Sequence, residues 1–261
     1  MEPFKNIIRT EDDIHFLSKY DDPDHFEKDY LEVRKKEGRV FSDEIVKMLP
    51  LLPGAHPLYK EWRHRAATQK MFCKYLSSSN GFPVILDLGC GNGWFSKKMK
   101  SALPGANIFA MEINLHELKQ AARVFNEENI KFLYGDIFLD MFIPGSFDII
   151  VLNSSIQYFN DVKRLLNRLL KLLTKQGKIH ILDSPIYHTA TEQLEAKKRT
   201  IKYFVDMRVK NMAKHYYHHT FKSLEGFNFE ILYDPKSKSK RLARIFGRKI
   251  SLFPWIMIHN S

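Results

Sequence analysis

From Pro83 onward, short apolar runs alternate with stretches in which apolar residues return every three or four positions. The runs are PVILDL (83–88), ANIFAMEI (106–113), IKFLYG (130–135), FDIIVLN (147–153) and GKIHILD (177–183). The spacing between most of them predicts helices over 93–102, 115–127 and 158–173. Near-continuous apolar strands separated by helices predict a mostly parallel sheet covered on both faces. Right-handed crossovers make such an α/β domain doubly wound. Two later runs, FNFEILYD (227–234) and LFPWIMIHN (252–260), have no clear helix between them. They read as a closing antiparallel pair, which brings the sheet to seven strands.

The first 80 residues lack strand-like alternation and read as an N-terminal helical cap. Pro50, Pro53 and Gly54 divide it into two helical segments. Residues 81–261 form the α/β domain. Within it, 184–219 is an insertion after the fifth run, opened by a capping box of Thr189 and Glu192 on a helix that heads toward Lys214. Such an insertion overhangs the carboxyl ends of the strands, where open α/β sheets bind ligands, and reads as a helical lid.

Composition narrows the class. Of 261 residues, 44% are hydrophobic and 13% aromatic, which is ordinary for a globular chain with a large core. MEPFKNIIRTEDD has no cationic start followed by an apolar core, so no secretory signal is expected. No apolar run approaches the ~20 residues needed to cross a bilayer. Cys73 and Cys90 offer neither a disulfide framework nor metal-ligand spacing. A cytoplasmic protein is expected. The net charge of +11 is concentrated in KSKSKRLARIFGRK (236–249), which suits a phosphate, an anionic lipid surface or nucleic acid, or serves only solubility.

The chemistry centres on LDLGCGNGWFSKKM (86–99), a glycine turn between a strand and a helix. A dinucleotide fingerprint places its third glycine where Trp94 stands, and a large side chain there hinders the close helix packing that pyrophosphate binders use. A phosphate-binding P-loop is excluded because no Gly-Lys-Ser/Thr follows. Cys90 reads as a small side chain at a tight turn. VILDLGCGNG resembles the first motif of class I S-adenosylmethionine-dependent methyltransferases, and further motifs follow in that family's order. Glu112 ends the second strand nineteen residues after Gly93, YGDI (134–137) follows the third, FDIIVLNSSIQYF (147–159) spans the fourth, and LLKLLTKQGKIHIL (169–182) spans a helix, a Gly turn and the fifth.

The resemblance covers 83–183 well and 218–260 more loosely. It implies a Rossmann-like methyltransferase fold with S-adenosylmethionine as cofactor. That molecule carries no phosphate, so it needs a flat floor, a carboxylate and polar groups at the adenine edge. Gly89, Cys90, Gly91 and Gly93 would supply the floor. Glu112, with Ile113 beside it, would hold the ribose hydroxyls, and Asp136 and Ile137 the adenine. Asp87 would approach the ammonium, and Asn153 and Ser154 would border the sulfonium. Tyr59, Trp62 and Arg65, on the segment leading into the first strand, are candidates for closing over the methionine end.

The acceptor is less legible. The position where base and glutamine methylases carry Asn/Asp-Pro-Pro-Tyr reads Asn153-Ser-Ser-Ile-Gln157-Tyr158, and the DSPIY at 183–187 follows the wrong strand for that motif. The ligand set of metal-dependent catechol-type enzymes is incomplete at Ser184, and HYYHHT (215–220) has no accompanying acid or cysteine, so no metal is expected. His188 is the expected base, with Tyr187, Asp183 and His215 as substrate contacts. The expected function is methyl transfer to a small molecule, anionic or lipid-linked. The rivals are a nucleic-acid methyltransferase, for which no RNA-binding module is evident, and a methyltransferase-like binding protein without catalysis. Dehydrogenase is more distant still. The sequence sets neither the acceptor atom nor the oligomeric state.

Overall fold

The computed structural model describes residues 2–19, 22, 25–78, 81–126, 129–237 and 251–260. Five parallel strands form its centre: β3 (Val84–Leu88), β4 (Asn107–Glu112), β5 (Ile130–Tyr134), β6 (Phe147–Asn153) and β7 (Leu173–Leu182). Two further strands, β10 (Phe229–Tyr233) and β11 (Trp255–His259), close one edge. β11 runs antiparallel to both β7 and β10. The seven expected strands are therefore present. At the other edge the chain adds a hairpin, β1 (Arg9–Glu11) and β2 (Ile14–Phe16), giving the order β1-β2-β5-β4-β3-β6-β7-β11-β10.

That hairpin corrects the expectation of a wholly helical N-terminal segment. Asp12 and Asp13 form its two-residue turn, both at positive φ (51° and 60°), as the twist of paired strands demands of so short a loop. β2 buries Ile14 and Phe16 and pairs parallel with β5. A three-residue strand is too short for alternation to register, and Asp-Asp is a weak turn signal beside Asn-Gly.

Alternation within the strands explains the two layers. Ile85, Ile108, Ala110, Ile149 and Val151 face one side, under α3 (Tyr59–Ser77), α4 (Trp94–Ala102) and α5 (Leu115–Val124). Leu86, Phe109, Met111, Ile150 and Leu152 face the other, where α6 (Val162–Leu172) lays down Leu165, Leu166, Leu169 and Leu172. Burial on both faces is why these strands read as unbroken apolar runs. The 173–176 stretch joins β7 directly, with a register shift against β6, and no separate glycine turn intervenes.

Above the carboxyl ends of the strands, two segments remote in sequence pack together. α1 (Phe26–Lys36) is separated by Gly38 from α2 (Asp43–Met48). Its Tyr30 and Val33 bury against Phe204, Val209 and Met212. Phe204 belongs to α7 (Ala190–Asp206), which Thr189 caps by accepting from the Glu192 N–H. α7 stops short of Lys214. Arg208 takes a left-handed conformation (φ 57°), and the Val209 amide turns back to the Phe204 carbonyl. That is a glycine-type helix stop made without glycine, so no sequence signal marked it. A 3₁₀ turn, Lys210–His215, follows. The short parallel strands β8 (Ile186–Tyr187) and β9 (His219–Thr220) close the base of the insertion. No helix among the described residues is long and apolar enough to cross a membrane. The basic segment falls outside the described residues from Lys238 onward.

Candidate functional site

Strand register puts the chemistry at one edge. Leu88 pairs with Met111, and Glu112 with Tyr134, so the turns after β3, β4 and β5 open side by side. Between them lies a cavity of about 770 Å³.

The glycine turn is its floor. Gly89 sits at φ 79°, and a Cβ there would stand 2.5 Å from the Ser155 Cβ, so the approach of the β6 loop requires a residue without a side chain. Ser155 Oγ donates to the Leu88 carbonyl at 2.7 Å and holds that loop in place. Gly93 does a different job. It precedes α4 at φ 75°, a Cβ there would meet Ala121 at 2.9 Å, and it packs against α5 instead of lining the cavity. Trp94, which argued against a dinucleotide, lines the cavity and packs edge-on against Trp62 with ring centroids 5.2 Å apart.

Glu112 organises the wall. Its Oε2 accepts from the Gly91 amide at 3.0 Å, and its Oε1 from the Ile113 and Asn114 amides at 2.8 and 2.9 Å. Loss of hydration, reinforced by the neighbouring Glu117 carboxylate, nevertheless raises its pKa to about 7. Asp87 is buried at 1% exposure, and burial raises its pKa to about 7 as well, against a hydrogen bond from Ser96 to Oδ2. Its Oδ1 has no partner. Nor have Trp62 Nε1, Asn92 Oδ1 and Asn153 Oδ1. Four buried polar atoms around one cavity, three acceptors and one donor, are groups prepared for a ligand, since buried polar atoms are otherwise paired.

Of the residues named from sequence, Asp87, Gly89, Cys90, Gly91, Glu112, Ile113, Asp136, Ile137, Asn153, Ser154, Trp62 and Arg65 line this cavity. Asp136 is exposed at the rim, with Oδ1 accepting from the Phe138 amide, and Ile137 is buried. Cys90 is a free thiol whose pKa burial pushes up, as befits a packed side chain. Tyr59 packs against the core behind the cavity and does not line it.

A second chamber of about 400 Å³ adjoins the first, and Tyr30, Arg34, Arg39, Arg65, Ser154 and Tyr158 border both. Ser154 is held in a left-handed conformation (φ 58°) at the joint. α7 and the turn after it complete the chamber with Arg199, Tyr203, Phe204 and Tyr216. Tyr187, at its far side, belongs to this chamber. The other proton-transfer candidates lie elsewhere. His188 is exposed and its ring lies against Phe221 at 4.7 Å, so it is not positioned to take a proton from a group in either cavity. His215 faces a separate cleft beside His25. Asp183 is buried behind the chamber with Oδ1 accepting from Thr68 Oγ1 at 2.6 Å, and burial raises its pKa to about 6. His218 pairs with Thr200 and His219 with the Ile156 carbonyl, so the histidine cluster diverges. Among the described residues no group of His, Cys, Asp or Glu is arranged to hold a metal ion.

Sequence reasoning did not single out Tyr30, Arg34, Arg39 and Tyr158. Tyr158 carried a signal, since it closes the fourth-strand motif. Tyr30 and Arg34 of α1 and Arg39 just beyond it carried none, because only the packing of α1 on Phe204, Val209 and Met212 brings this segment here.

Residues 86–181 match the family model described as a methyltransferase domain. The malonyl-[acyl-carrier protein] O-methyltransferase of Acetivibrio thermocellus is 30% identical over 157 residues, covering 57% of this chain and 55% of that protein. The enzyme of the same name from Bacillus anthracis is 29% identical over 100 residues, 38% of this chain and 37% of that one. The chain thus spans about half or less of the length of these curated relatives. Among solved structures, the YcgJ protein of Bacillus subtilis superposes with a TM-score of 0.54 at 14% identity, over 74% of this chain and 98% of that one. Geranyl diphosphate C-methyltransferase from Streptomyces coelicolor, solved with Mg²⁺, geranyl-S-thiolodiphosphate and S-adenosyl-L-homocysteine, superposes with a TM-score of 0.54 at 13% identity, over 80% and 82%. These likenesses show the fold.

Proposed function

We propose that this chain, whose residues 86–181 match a methyltransferase-domain model, is a class I S-adenosylmethionine-dependent methyltransferase that transfers a methyl group to a small molecule held in the second chamber. One observation carries the reading. A cavity whose buried polar atoms lack partners opens directly, past Ser154 and Tyr158, into a second chamber roofed by the lid.

The residues present fit S-adenosylmethionine. When bound, it supplies an electrophilic methyl group on a sulfonium. Glu112 keeps lone pairs free beyond its three backbone contacts and accepts from the ribose hydroxyls. Asp87 Oδ1 and Asn153 Oδ1 accept from the ammonium, while Trp62 Nε1 and the Arg65 guanidinium donate to the carboxylate. Asp136 and Ile137 meet the adenine edge. Ser154 and Tyr158 stand where the two cavities join, so they orient the acceptor for in-line attack. α1 and α7 close over the joint and exclude water.

The acceptor in this reading is an anionic small molecule, or the anionic end of a lipid-linked one, because four arginines border its chamber. Nucleic acid has no part in it. Two free buried thiols fit a reducing, cytoplasmic setting.

Calorimetric titration with S-adenosylhomocysteine and with NAD tests the reading, together with mass spectrometry of the protein as purified. S-adenosylhomocysteine should bind and raise the melting temperature, because a ligand of the native state stabilises it. Binding of NAD with no binding of the S-adenosyl ligand would overturn it.

A further inference from the structure

We infer that the second chamber binds an aromatic acid. Its ring lies among the tyrosines, its carboxylate on the arginines, and a hydroxyl or amino group on the ring donates to Gln157. The inference rests on the methyltransferase reading, since it names the acceptor class of that same site.

Charge is the first argument. Arg34, Arg39, Arg65 and Arg199 border the chamber. Three of them are largely buried, with side-chain exposures of 23%, 17% and 21% for Arg34, Arg39 and Arg65. Glu37 lies between Arg34 and Arg39 at 3.5 and 2.8 Å, and Glu61 pairs with Arg39 and Arg65. Asp183, already bonded to Thr68, adds a third carboxylate behind Arg65. Each of these three arginines thus already faces a carboxylate, and Arg199, exposed on α7, is the fourth cation of the chamber. Arg199 is the cation these three carboxylates leave over for an anion of the occupant. A carboxylate supplies one negative charge and matches the planar fork of a guanidinium, whereas a phosphomonoester brings nearly two. Arg34 Nε is buried without a partner and is a donor in place for it.

Gln157 supplies the second argument. Its side chain is 4% exposed, and Nε2 donates to the Ser154 carbonyl at 2.6 Å. That bond fixes the amide, leaving the carbonyl oxygen as its free end, and Oε1 has no partner. A carbonyl oxygen only accepts. An occupant that satisfies it carries an O–H or N–H near Ser154, where the two cavities meet.

The walls supply the third. Tyr30 and Tyr158 pack edge-on at 5.7 Å, Tyr158 and Tyr216 at 5.8 Å, and Phe204 and Tyr216 at 6.1 Å. Burial pushes the hydroxyls of Tyr30, Tyr158 and Tyr216 above the ordinary tyrosine range, so all three stay neutral. A flat ring extends such an edge-to-face array. The chamber's 400 Å³ is at the small end for ligand sites, the size of a one- or two-ring compound.

The test titrates the full chain with para-hydroxybenzoate, para-hydroxybenzamide and benzoate, each with and without S-adenosylhomocysteine. The hydroxy acid should bind in both conditions. The amide should bind at least about tenfold more weakly for want of the charge, and benzoate more weakly for want of the donor. Arg199→Gln, on the exposed side of α7, should weaken the acid and leave S-adenosylhomocysteine affinity unchanged. Gln157→Leu should make para-hydroxybenzoate and benzoate bind alike, which isolates the pairwise contact. Equal affinity for acid and amide overturns the inference. So does competition between the acid and S-adenosylhomocysteine, or binding of the latter without any aryl acid. If S-adenosylhomocysteine itself does not bind, the methyltransferase reading fails, while the contrast between acid and amide still decides this one.

Discussion

Raising the pH from about 5.5 to about 8 should tighten S-adenosylhomocysteine binding and destabilise the ligand-free protein over the same range. Asp87 and Glu112 both have pKa values near 7 in the ligand-free cavity, above their ordinary 3.8 and 4.5. The proposed ammonium at Asp87 and ribose hydroxyls at Glu112 would favour the ionised forms, so binding should release the protons these groups hold. A carboxyl of pKa about 7 is ionised to roughly 3% at pH 5.5 and roughly 90% at pH 8, a factor of about thirty in affinity for one group and up to roughly 10³ for both. Stability runs the other way. A carboxyl whose pKa is raised by folding contributes stability below its unfolded value and loses it as pH rises through its folded one. For Asp87 the gap of about three units amounts to about 4 kcal/mol lost between pH 4 and 7. Asp183, raised to about 6, adds to the loss of stability but not to the affinity, because it lies outside the first cavity. Calorimetry across the range, in two buffers of different ionisation enthalpy, reads both the affinity and the protons released, and thermal melts read the stability. An affinity flat with pH, or net proton uptake on binding near neutrality, would refute the assignment of both carboxylates.

Two substitutions test the turn itself. Glu112→Ala should cost about 2–4 kcal/mol of S-adenosylhomocysteine affinity through two lost charge-assisted hydrogen bonds. Folding stability should fall by less, although the Gly91, Ile113 and Asn114 amides lose their acceptor; unchanged affinity in calorimetry would exclude Glu112 from the ribose site. Gly89→Ala places a Cβ 2.5 Å from that of Ser155 at φ 79°, and left-handed strain plus overpacking should cost about 2–5 kcal/mol in urea unfolding. Adding Ser155→Gly, which removes the opposing Cβ, should return part of that loss, and a Gly89→Ala protein as stable as the parent would show that the approach is not tight.

Much of the core was legible because its signals are local. Five apolar runs, each buried on both faces, gave the parallel sheet, and Glu112 could be named because it ends the second strand where the resembled family carries an acid. Asp87 and Glu112 were named as carboxylates, but their displacement to about 7 was not, because it arises from burial and from Glu117 across the turn. The β1–β2 hairpin escaped because its stabilisation comes from pairing with β5, more than a hundred residues away in the chain.

The sequence by itself determined seven of the main sheet's nine strands, the glycine turn and part of the first cavity's lining, since each depends on spacing within a few residues and on one strand's place beside the next. Only the tertiary structure decided what lines the second chamber. His188, chosen for its position just beyond the fifth strand, turns to solvent against Phe221. Tyr30 and Arg34 reach the joint of the two cavities because α1 buries its apolar face on Phe204, Val209 and Met212 of the lid. A contact between helices so far apart in the chain depends on the shape and burial of both surfaces together, and neither segment's own pattern of residues encodes it.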